Sequence, residues 1–250
     1  MLKAVLLDLD NTMVLFSEPQ FYQRYFKRIG PFFADLFNPK AFIERMIRAT
    51  RGLKDNNGQK LNVDHFLDIL TAGNVPAQRE QVWQRFIQFY TQEYDRIERQ
   101  VSAPEGLGKT LDFLTASGLT LVLASNPIFP EFVHQKRMAW VGIAPTDPWT
   151  LITHIGNMSY VKPRSGYFLE ISRMIAIPPQ QCLMVGNDAL NDMAAGRVGM
   201  HTFLTTDVEA LDYGSLQMTV AREDPPPLTP PDFSGRFKEL PRIVTQLSNG

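Results

Sequence analysis

The segment AVLLDLDNT, residues 4–12, sets four apolar residues directly before the first of two aspartates. A short apolar run that ends at a polar turn is typical of a buried strand in a parallel sheet. Residues 119–124 and residues 182–185 repeat this form, ending before a serine and a glycine. Weaker strand candidates lie at residues 151–155 and 202–204.

Helical patterns occupy the intervals between most of these runs. Apolar residues at helical spacing occur at residues 107–114, 132–140, 167–175 and 193–198. Strands that alternate with helices predict an α/β fold with a doubly wound, mostly parallel sheet. We therefore expect residues 1–15 and 101–222 to form one α/β core.

Residues 16–100 have a different pattern, with no convincing strand run and with apolar residues at helical spacing, as at Val82, Phe86 and Phe89. An insert of about 85 residues between the first and second strands is much longer than a crossover requires. We predict a smaller helical domain here, called the helical insert below. Its aromatic residues either form the interior or line a substrate pocket, and helical spacing favours an interior: Phe21, Tyr22, Tyr25, Phe26, Phe32 and Phe33.

The last segment, residues 223–250, begins with five prolines between residues 225 and 231. Proline lacks the backbone donor that helices and central strands need, so an extended linker is expected there. A short terminal helix is predicted at residues 240–247.

Composition excludes several classes of protein. Of the 250 residues, 44% are hydrophobic, and 25 basic residues balance 26 acidic ones, so a nucleic-acid partner is not expected. The single cysteine, Cys182, provides neither an internal disulfide nor a cysteine metal site. The first apolar run ends at Asp8, too early for a secretory signal, and no run reaches the roughly 18 apolar residues of a membrane helix. We expect a cytoplasmic protein with no membrane partner.

Ligands of open α/β sheets bind beyond the carboxyl ends of the strands, so the residues after each predicted strand belong together. They are Asp8, Asp10, Ser125, Asn126, Asp188 and Asp192. Four carboxylates at one sheet edge repel one another unless they share protons or a cation. A hard divalent metal, most simply Mg²⁺, is the natural partner.

The two first aspartates suit phosphoryl transfer. The Asp8 carboxylate can attack phosphorus and form an aspartyl-phosphate, and Asp10 can protonate the leaving alcohol. The alternative is that DLDNT is only a polar strand end with an Asx-turn.

Two further candidates have polar side chains suited to a phosphoryl group. Ser125 and Asn126 supply a hydroxyl and an amide donor, although Asn126 precedes Pro127 and in isolation is better suited to a turn. Lys162, in the segment YVKP, is either a solvated lysine or an ammonium that neutralises a carboxylate and a phosphoryl oxygen. Asp188 and Asp192 are spaced either for one metal or for a helix N-terminus.

Taken together and in order, these segments resemble the four motifs of the haloacid dehalogenase-like superfamily. They are DLDNT after a strand, Ser125 after the next core strand, Lys162 before a proline, and GNDALND at residues 186–192. The resemblance covers the predicted α/β core, and it implies that the helical insert is a cap domain. It further implies Asp8 as nucleophile, Asp10 as general acid and base, and Ser125 and Lys162 as phosphoryl stabilisers.

The resemblance also implies a metal site. Mg²⁺ would be bound by Asp8, the Asp10 carbonyl and Asp188, with Asp192 in support. The sequence departs from the family's usual Gly-Asp here, because Asn187 separates Gly186 from Asp188, so Asn187 and Asn191 are further candidates. Family members that cleave carbon–halogen bonds lack the second aspartate of the first motif, so Asp10 favours phosphate chemistry.

The predicted function is therefore a Mg²⁺-dependent hydrolase of small phosphomonoesters that forms an aspartyl-phosphate. The alternatives are a phosphomutase with the same intermediate and a non-catalytic binding or regulatory protein. The four histidines share no metal spacing and are expected to be structural: His65, His134, His154 and His201.

Overall fold

A computed structural model of the chain describes residues 1–73, 76–97, 99–144, 148–208 and 228–249. Within these ranges, six strands form one sheet in the order β3-β2-β1-β4-β5-β6, and every neighbouring pair is parallel. The strands are β1 (Ala4–Leu7), β2 (Thr120–Leu123), β3 (Trp149–Ile152), β4 (Cys182–Gly186), β5 (His201–Thr205) and β6 (Phe233–Gly235). The prediction of a doubly wound α/β sheet is confirmed.

Helices cover both faces of the sheet and fill the interval between β1 and β2. The α-helices of the described ranges are α1 (Glu18–Phe32), α2 (Pro39–Gly52), α3 (Asn62–Leu70), α4 (Pro76–Gln92), α5 (Leu107–Ala116), α6 (Glu131–Ala139), α7 (Ser165–Met174) and α8 (Leu240–Asn249). Short 3₁₀ helices occupy Leu53–Asp55, Tyr94–Arg96, Pro179–Gln181, Met193–Val198 and Phe237–Glu239. No helix of the described ranges has the length and apolar character needed to cross a membrane.

The topology determines where a ligand binds. The chain proceeds from β1 through β2 to β3 on one side and then returns to β4 on the other side of β1. The strand order thus reverses between β1 and β4, and the carboxyl ends of neighbouring strands open a crevice at such a point. The residues that follow β1, β2 and β4 therefore share one edge of the sheet.

Successive side chains of the central strands point to opposite faces of the sheet, so a hydrophobic core forms on each face. Val5 and Leu7 of β1 face α5, α6 and α8, whereas Ala4 and Leu6 face α7. All four side chains are fully buried, which explains why the strand appears in the sequence as a continuous apolar run.

The helical insert has an aromatic interior that continues into the α/β core, where Phe129 contacts the rings of Tyr25 and Tyr90. The six aromatic residues predicted to be core all belong to its hydrophobic cluster, with Phe26 and Phe32 partly buried. Phe33 and Phe42 stack with their ring centroids 4.1 Å apart. The entry and exit of the insert are joined, because Leu15 and Ser102 exchange backbone hydrogen bonds of 2.8 and 3.0 Å.

The terminal segment contributes more than the predicted helix, which is confirmed as α8. Its residues 233–235 form β6 at the sheet edge, and the sequence analysis did not predict this strand. The preceding Asp232 aligns it, since its carboxylate accepts hydrogen bonds from the backbone N–H (2.9 Å) and the hydroxyl (3.2 Å) of Thr202. The predicted core residues 209–222 and the prolines at 225–227 lie outside the described residues.

Candidate active site

Asp8 lies directly beyond β1 at the strand-order reversal. Its backbone N–H donates to the carbonyl of Val185 over 2.9 Å, which extends the pairing of β1 with β4 by one residue. The side chain is buried, with Oδ1 accepting from Lys162 Nζ at 2.8 Å and Oδ2 accepting from Thr12 Oγ1 at 3.2 Å. Burial raises the pKa of Asp8, and the Lys162 ammonium opposes that rise.

Lys162 connects two of the predicted site residues. Its buried Nζ donates to Asp192 Oδ1 at 2.6 Å as well as to Asp8. Burial alone lowers the pKa of a lysine, but here the adjacent Asp192 and Asp8 outweigh it, and the pKa of Lys162 is raised. The interpretation of Lys162 as a solvated surface lysine is wrong, because the β3–α7 connection directs it into the acidic cluster.

Asp192 completes this buried charge cluster. Its Oδ2 accepts a 3.0 Å hydrogen bond from the backbone N–H of Asp188. Burial and the nearby negative charge of Asp8 raise the pKa of Asp192, while Lys162 lowers it. A Cβ on Gly186 would lie 2.1 Å from Asp192 Oδ2, so glycine at the end of β4 makes room for this carboxylate.

The loop after β2 holds Ser125 at the same edge. Ser125 is buried, and its carbonyl accepts hydrogen bonds from Thr153 Oγ1 (2.7 Å) and from the Tyr167 hydroxyl (2.9 Å). The Tyr167 ring also lies 5.8 Å from Lys162 Nζ. Asn126 begins a tight turn in which its carbonyl accepts from Ile128 N–H at 2.8 Å, as the turn interpretation of this residue predicts.

Asp10 has an ion-pair partner that the sequence analysis missed. Arg137 of α6 donates from Nη1 to Asp10 Oδ2, and its Nε donates to the Tyr94 hydroxyl at 2.7 Å. The Arg137 side chain is fully buried, yet Asp10 and the neighbouring tyrosines keep its pKa above its usual value against the effect of burial. The sequence signal was a pair of adjacent cations in α6, Lys136 and Arg137, and the helical pattern does not show what either of them faces.

A second missed group is Glu18, at the start of α1. Asn11, in the left-handed conformation with φ 58°, accepts from Phe16 N–H at 3.0 Å and donates its amide to Glu18 Oε1 at 3.0 Å. Asparagine tolerates this conformation better than most residues. Burial, followed by the charge of Asp10, raises the pKa of Glu18 to about 7.

The structure separates the two predicted roles of the GNDALND segment. Asp188 Oδ1 accepts from the backbone N–H groups of Leu190 (2.8 Å) and Asn191 (3.0 Å), and Oδ2 accepts from the Asn191 amide (2.6 Å). Its carboxylate therefore stabilises its own loop. Asn187 instead places Oδ1 3.2 Å from Thr12 Oγ1, the hydroxyl that also contacts Asp8.

Two oxygen-bearing side chains near Thr12 are candidate ligands for a hard cation. In the described part of the chain, no three His, Cys, Asp or Glu side chains group as a metal site. The Asp8 carboxylate and the Asn187 amide oxygen nevertheless both lie within 3.2 Å of one hydroxyl, and oxygen donors are what Mg²⁺ binds. Asp8 and Asn187 are thus the two oxygen donors that the structure brings near each other, and the assignments of the Asp10 carbonyl, Asp188 and Asp192 to a metal remain predictions.

Comparison with known proteins gives a family and a fold. A family model described as haloacid dehalogenase-like hydrolase matches residues 2–199. A search of curated protein sequences found no match. Among solved structures, a predicted phosphoglycolate phosphatase from Haemophilus somnus 129PT is 18% identical, with 97% of this chain and 98% of that chain covered and a TM-score of 0.56.

Two further solved structures differ in the activity that their names state. A phosphatase from Thermococcus onnurineus is 16% identical, with 97% and 98% of the chains covered and a TM-score of 0.55. The L-2-haloacid dehalogenase RSc1362 is 18% identical, with 98% and 99% covered and a TM-score of 0.53. At these identities the likeness shows the fold alone, so the choice of chemistry depends on the site residues.

Proposed function

This chain belongs to the haloacid dehalogenase-like hydrolase family, and we propose that it is a Mg²⁺-dependent phosphatase of small phosphomonoesters. The observation that carries the proposal is the pair of aspartates beyond β1. Asp8 is buried against Lys162, and Asp10 Oδ1, two residues later, is buried without a hydrogen-bond partner among the described residues. The burial of Asp8 beside a cation supports its role as nucleophile, and the unpartnered oxygen of Asp10 supports its role in proton transfer.

The proposed reaction has two displacements at phosphorus. An Asp8 oxygen forms a bond to phosphorus as the ester P–O bond breaks, and the departing alcohol oxygen takes a proton from Asp10. A water molecule, losing its proton to Asp10, then attacks the aspartyl-phosphate and releases phosphate and free Asp8. Positioning and charge neutralisation supply most of the acceleration in such reactions.

Lys162 and Ser125 prepare the phosphoryl site in this scheme. The two carboxylates beside Lys162 keep it protonated, so its ammonium can neutralise a phosphoryl oxygen as well as orient Asp8. Ser125 is fixed through its carbonyl by Thr153 and Tyr167, and its hydroxyl is proposed to donate to another phosphoryl oxygen.

Members of this family generally use a divalent metal, and the residues here fit one. Asp8, the Asp10 carbonyl and Asn187 would hold Mg²⁺, with Asp188 and Asp192 as the further carboxylates predicted from the sequence. When bound, the cation supplies additional neutralisation of phosphoryl charge. An amide in place of a carboxylate at residue 187 lowers the negative charge of this set by one.

The helical insert is proposed to act as a cap over this site. Glu18 and Tyr94 bring it to Asp10 and to Arg137, respectively, so the insert borders the reacting groups. Cap closure of this kind excludes water and selects a small phosphorylated metabolite.

Phosphate release from an aryl phosphate and a panel of phosphorylated metabolites, with and without Mg²⁺, tests the proposal. We expect metal-dependent turnover that is lost in Asp8→Asn and retained in Asp35→Asn, a variant of an exposed aspartate on the insert. Halide release from 2-haloacids without phosphate release would instead indicate a dehalogenase. An isomerised sugar phosphate without free phosphate would indicate a mutase, and no turnover by the folded protein would indicate a binding role.

A further inference from the structure

The two carboxylate oxygens of Asp10 have different surroundings. Oδ2 accepts from Arg137 Nη1, whereas Oδ1 is buried with no hydrogen-bond partner in the described ranges of the chain. A buried carboxylate oxygen without a donor is costly unless a ligand or a water molecule provides one. One oxygen is thus occupied by the protein, and the other remains for the reacting group.

Arg137 is held rigidly enough to determine this division. It is fully buried, and its guanidinium carbon lies 4.4 Å from the Phe129 ring centroid and 5.5 Å from that of Phe21. Its Nε donates to Tyr94 at 2.7 Å, so a planar group is fixed at one end by a hydroxyl and at the other by Asp10. A guanidinium has this fork geometry, and an ammonium does not.

We infer that Arg137 is a positioning residue for leaving-group protonation, one that holds Asp10 by Oδ2 and directs Oδ1 at the leaving oxygen of the substrate. The inference rests on the phosphatase proposed above. In the described ranges Arg137 donates hydrogen bonds to Asp10 and Tyr94, so its effect is expected in the two proton transfers of Asp10, of which kcat/KM reports the first.

The packing around Arg137 also makes the helical insert part of this arrangement. Phe21 and Tyr94 belong to the insert, while Phe129 and Arg137 belong to the β2–α6 segment of the core. The Tyr94 hydroxyl of the insert is therefore connected to Asp10 through a single side chain, that of Arg137. Because of this connection, we expect a movement of the insert to change the orientation of the Asp10 carboxylate.

Leaving-group dependence separates a positioning role from a structural one. An activated aryl phosphate departs without needing a proton, whereas an alkyl phosphate departs only when protonated. Loss of a correctly placed acid thus slows the alkyl substrate far more than the aryl one, and general structural damage slows both alike. The ratio of the two kcat/KM values is the quantity to measure.

The experiment compares wild type with Arg137→Met, Arg137→Lys, Tyr94→Phe and Asp10→Asn on one activated aryl phosphate and one alkyl phosphate. We expect Arg137→Met to lower the alkyl-to-aryl ratio about 100-fold, in the direction of Asp10→Asn. Arg137→Lys keeps the charge without the fork geometry, so its alkyl-to-aryl ratio is expected to lie between those of wild type and Arg137→Met. Tyr94→Phe is expected to lower the ratio about threefold to tenfold. Arg85→Met, which removes an Arg–Asp pair from the outer surface of the insert, is the matched control and is expected to leave the ratio unchanged.

The inference is overturned if Arg137→Lys and Tyr94→Phe, folded by circular dichroism, slow both substrates equally. Should Arg137→Met fail to fold, these two variants still decide the matter. Absence of phosphatase activity in wild type would overturn the proposed function itself, which is a different result from an active wild type with an unchanged ratio.

Discussion

Two sets of oppositely charged pairs in this protein have similar chemistry and opposite surroundings. At the sheet edge, Arg137 and Lys162 pair with aspartates while their side chains are 0% and 2% exposed. On the helical insert, Arg85 and Asp35 form a two-pronged contact in which the carboxylate is 58% exposed, against 21% and 11% for Asp10 and Asp8. Water weakens the second kind of pair, whereas a buried pair carries a large penalty if one partner is lost.

This difference indicates which charged residues the fold maintains for chemistry. Buried ion pairs contribute little net stability compared with apolar packing, so their presence at one edge of the sheet needs another explanation. The proposed catalytic site supplies one. The surface pairs of the insert need none, because such charges are common on solvated helices.

The largest expected effect is the difference in kcat between substitutions of Asp8 and of Asp35. We predict that Asp8→Asn lowers kcat by about 10⁴-fold or more, because the nucleophile is removed, while Asp35→Asn stays within about twofold of wild type. Phosphate release at saturating substrate measures both. Equal activity of the two variants would remove the distinction between the buried and exposed sets.

Lys162 and Lys136 give the corresponding comparison of stability. Lys162→Met leaves Asp8 and Asp192 buried without their cation, and we expect the free energy of unfolding to fall by about 3–5 kcal/mol. Lys136→Met breaks the exposed contact with Asp95 and is expected to cost about 0–1 kcal/mol. Urea unfolding measures each value, and a similar loss in both would contradict the comparison.

Asn187 tests the metal donors. The Asn187 amide oxygen and the Asp8 carboxylate both contact the Thr12 hydroxyl. Asn187→Asp adds a second carboxylate at this point, so we expect it to lower the Mg²⁺ concentration for half-maximal activity about tenfold. Asn57→Asp, at an exposed position of the insert, is the control for added charge. Prior dialysis against a chelator should abolish turnover in every variant. A Mg²⁺ requirement that responds to Asp188→Asn and not to Asn187→Asp would return the metal to the carboxylate predicted from the sequence.

The smallest effect concerns pH and His134, a buried residue of α6. Both ring nitrogens lack hydrogen-bond partners among the described residues, and burial, aided by Arg137, lowers the pKa of His134 well below 6.5. Below about pH 6.5 the unfolded chain then binds a proton that the folded chain does not, so stability falls as pH falls, by at most about 1.4 kcal/mol per pH unit. His134→Leu should flatten this slope in unfolding experiments between pH 5 and 7 in steps of about one unit, and an unchanged slope in this variant would contradict the prediction.

The sequence predicted the sheet better than it predicted the site contacts. Every strand of the core that is buried on both faces appears as an apolar run, because a parallel strand between two helical layers has no solvated side. The three residues of β6 have no such run, and the preceding Asp232 bonds to Thr202 of the neighbouring β5, 30 residues earlier in the chain. A local pattern cannot reveal a strand whose alignment comes from a distant residue.

The sequence by itself determined the α/β class, the helical insert and the loops that bear Asp8, Asp10, Ser125, Lys162 and Asp192, because hydrophobic periodicity and strand-end position are local properties. Only the tertiary structure decided which partners these side chains have. Arg137 lies 127 residues from Asp10 along the chain, and Lys162 lies 154 residues from Asp8. It also decided that Asn187 faces Thr12 while Asp188 binds its own loop, since backbone direction after β4, and not residue type, selects which of two neighbours points into the site.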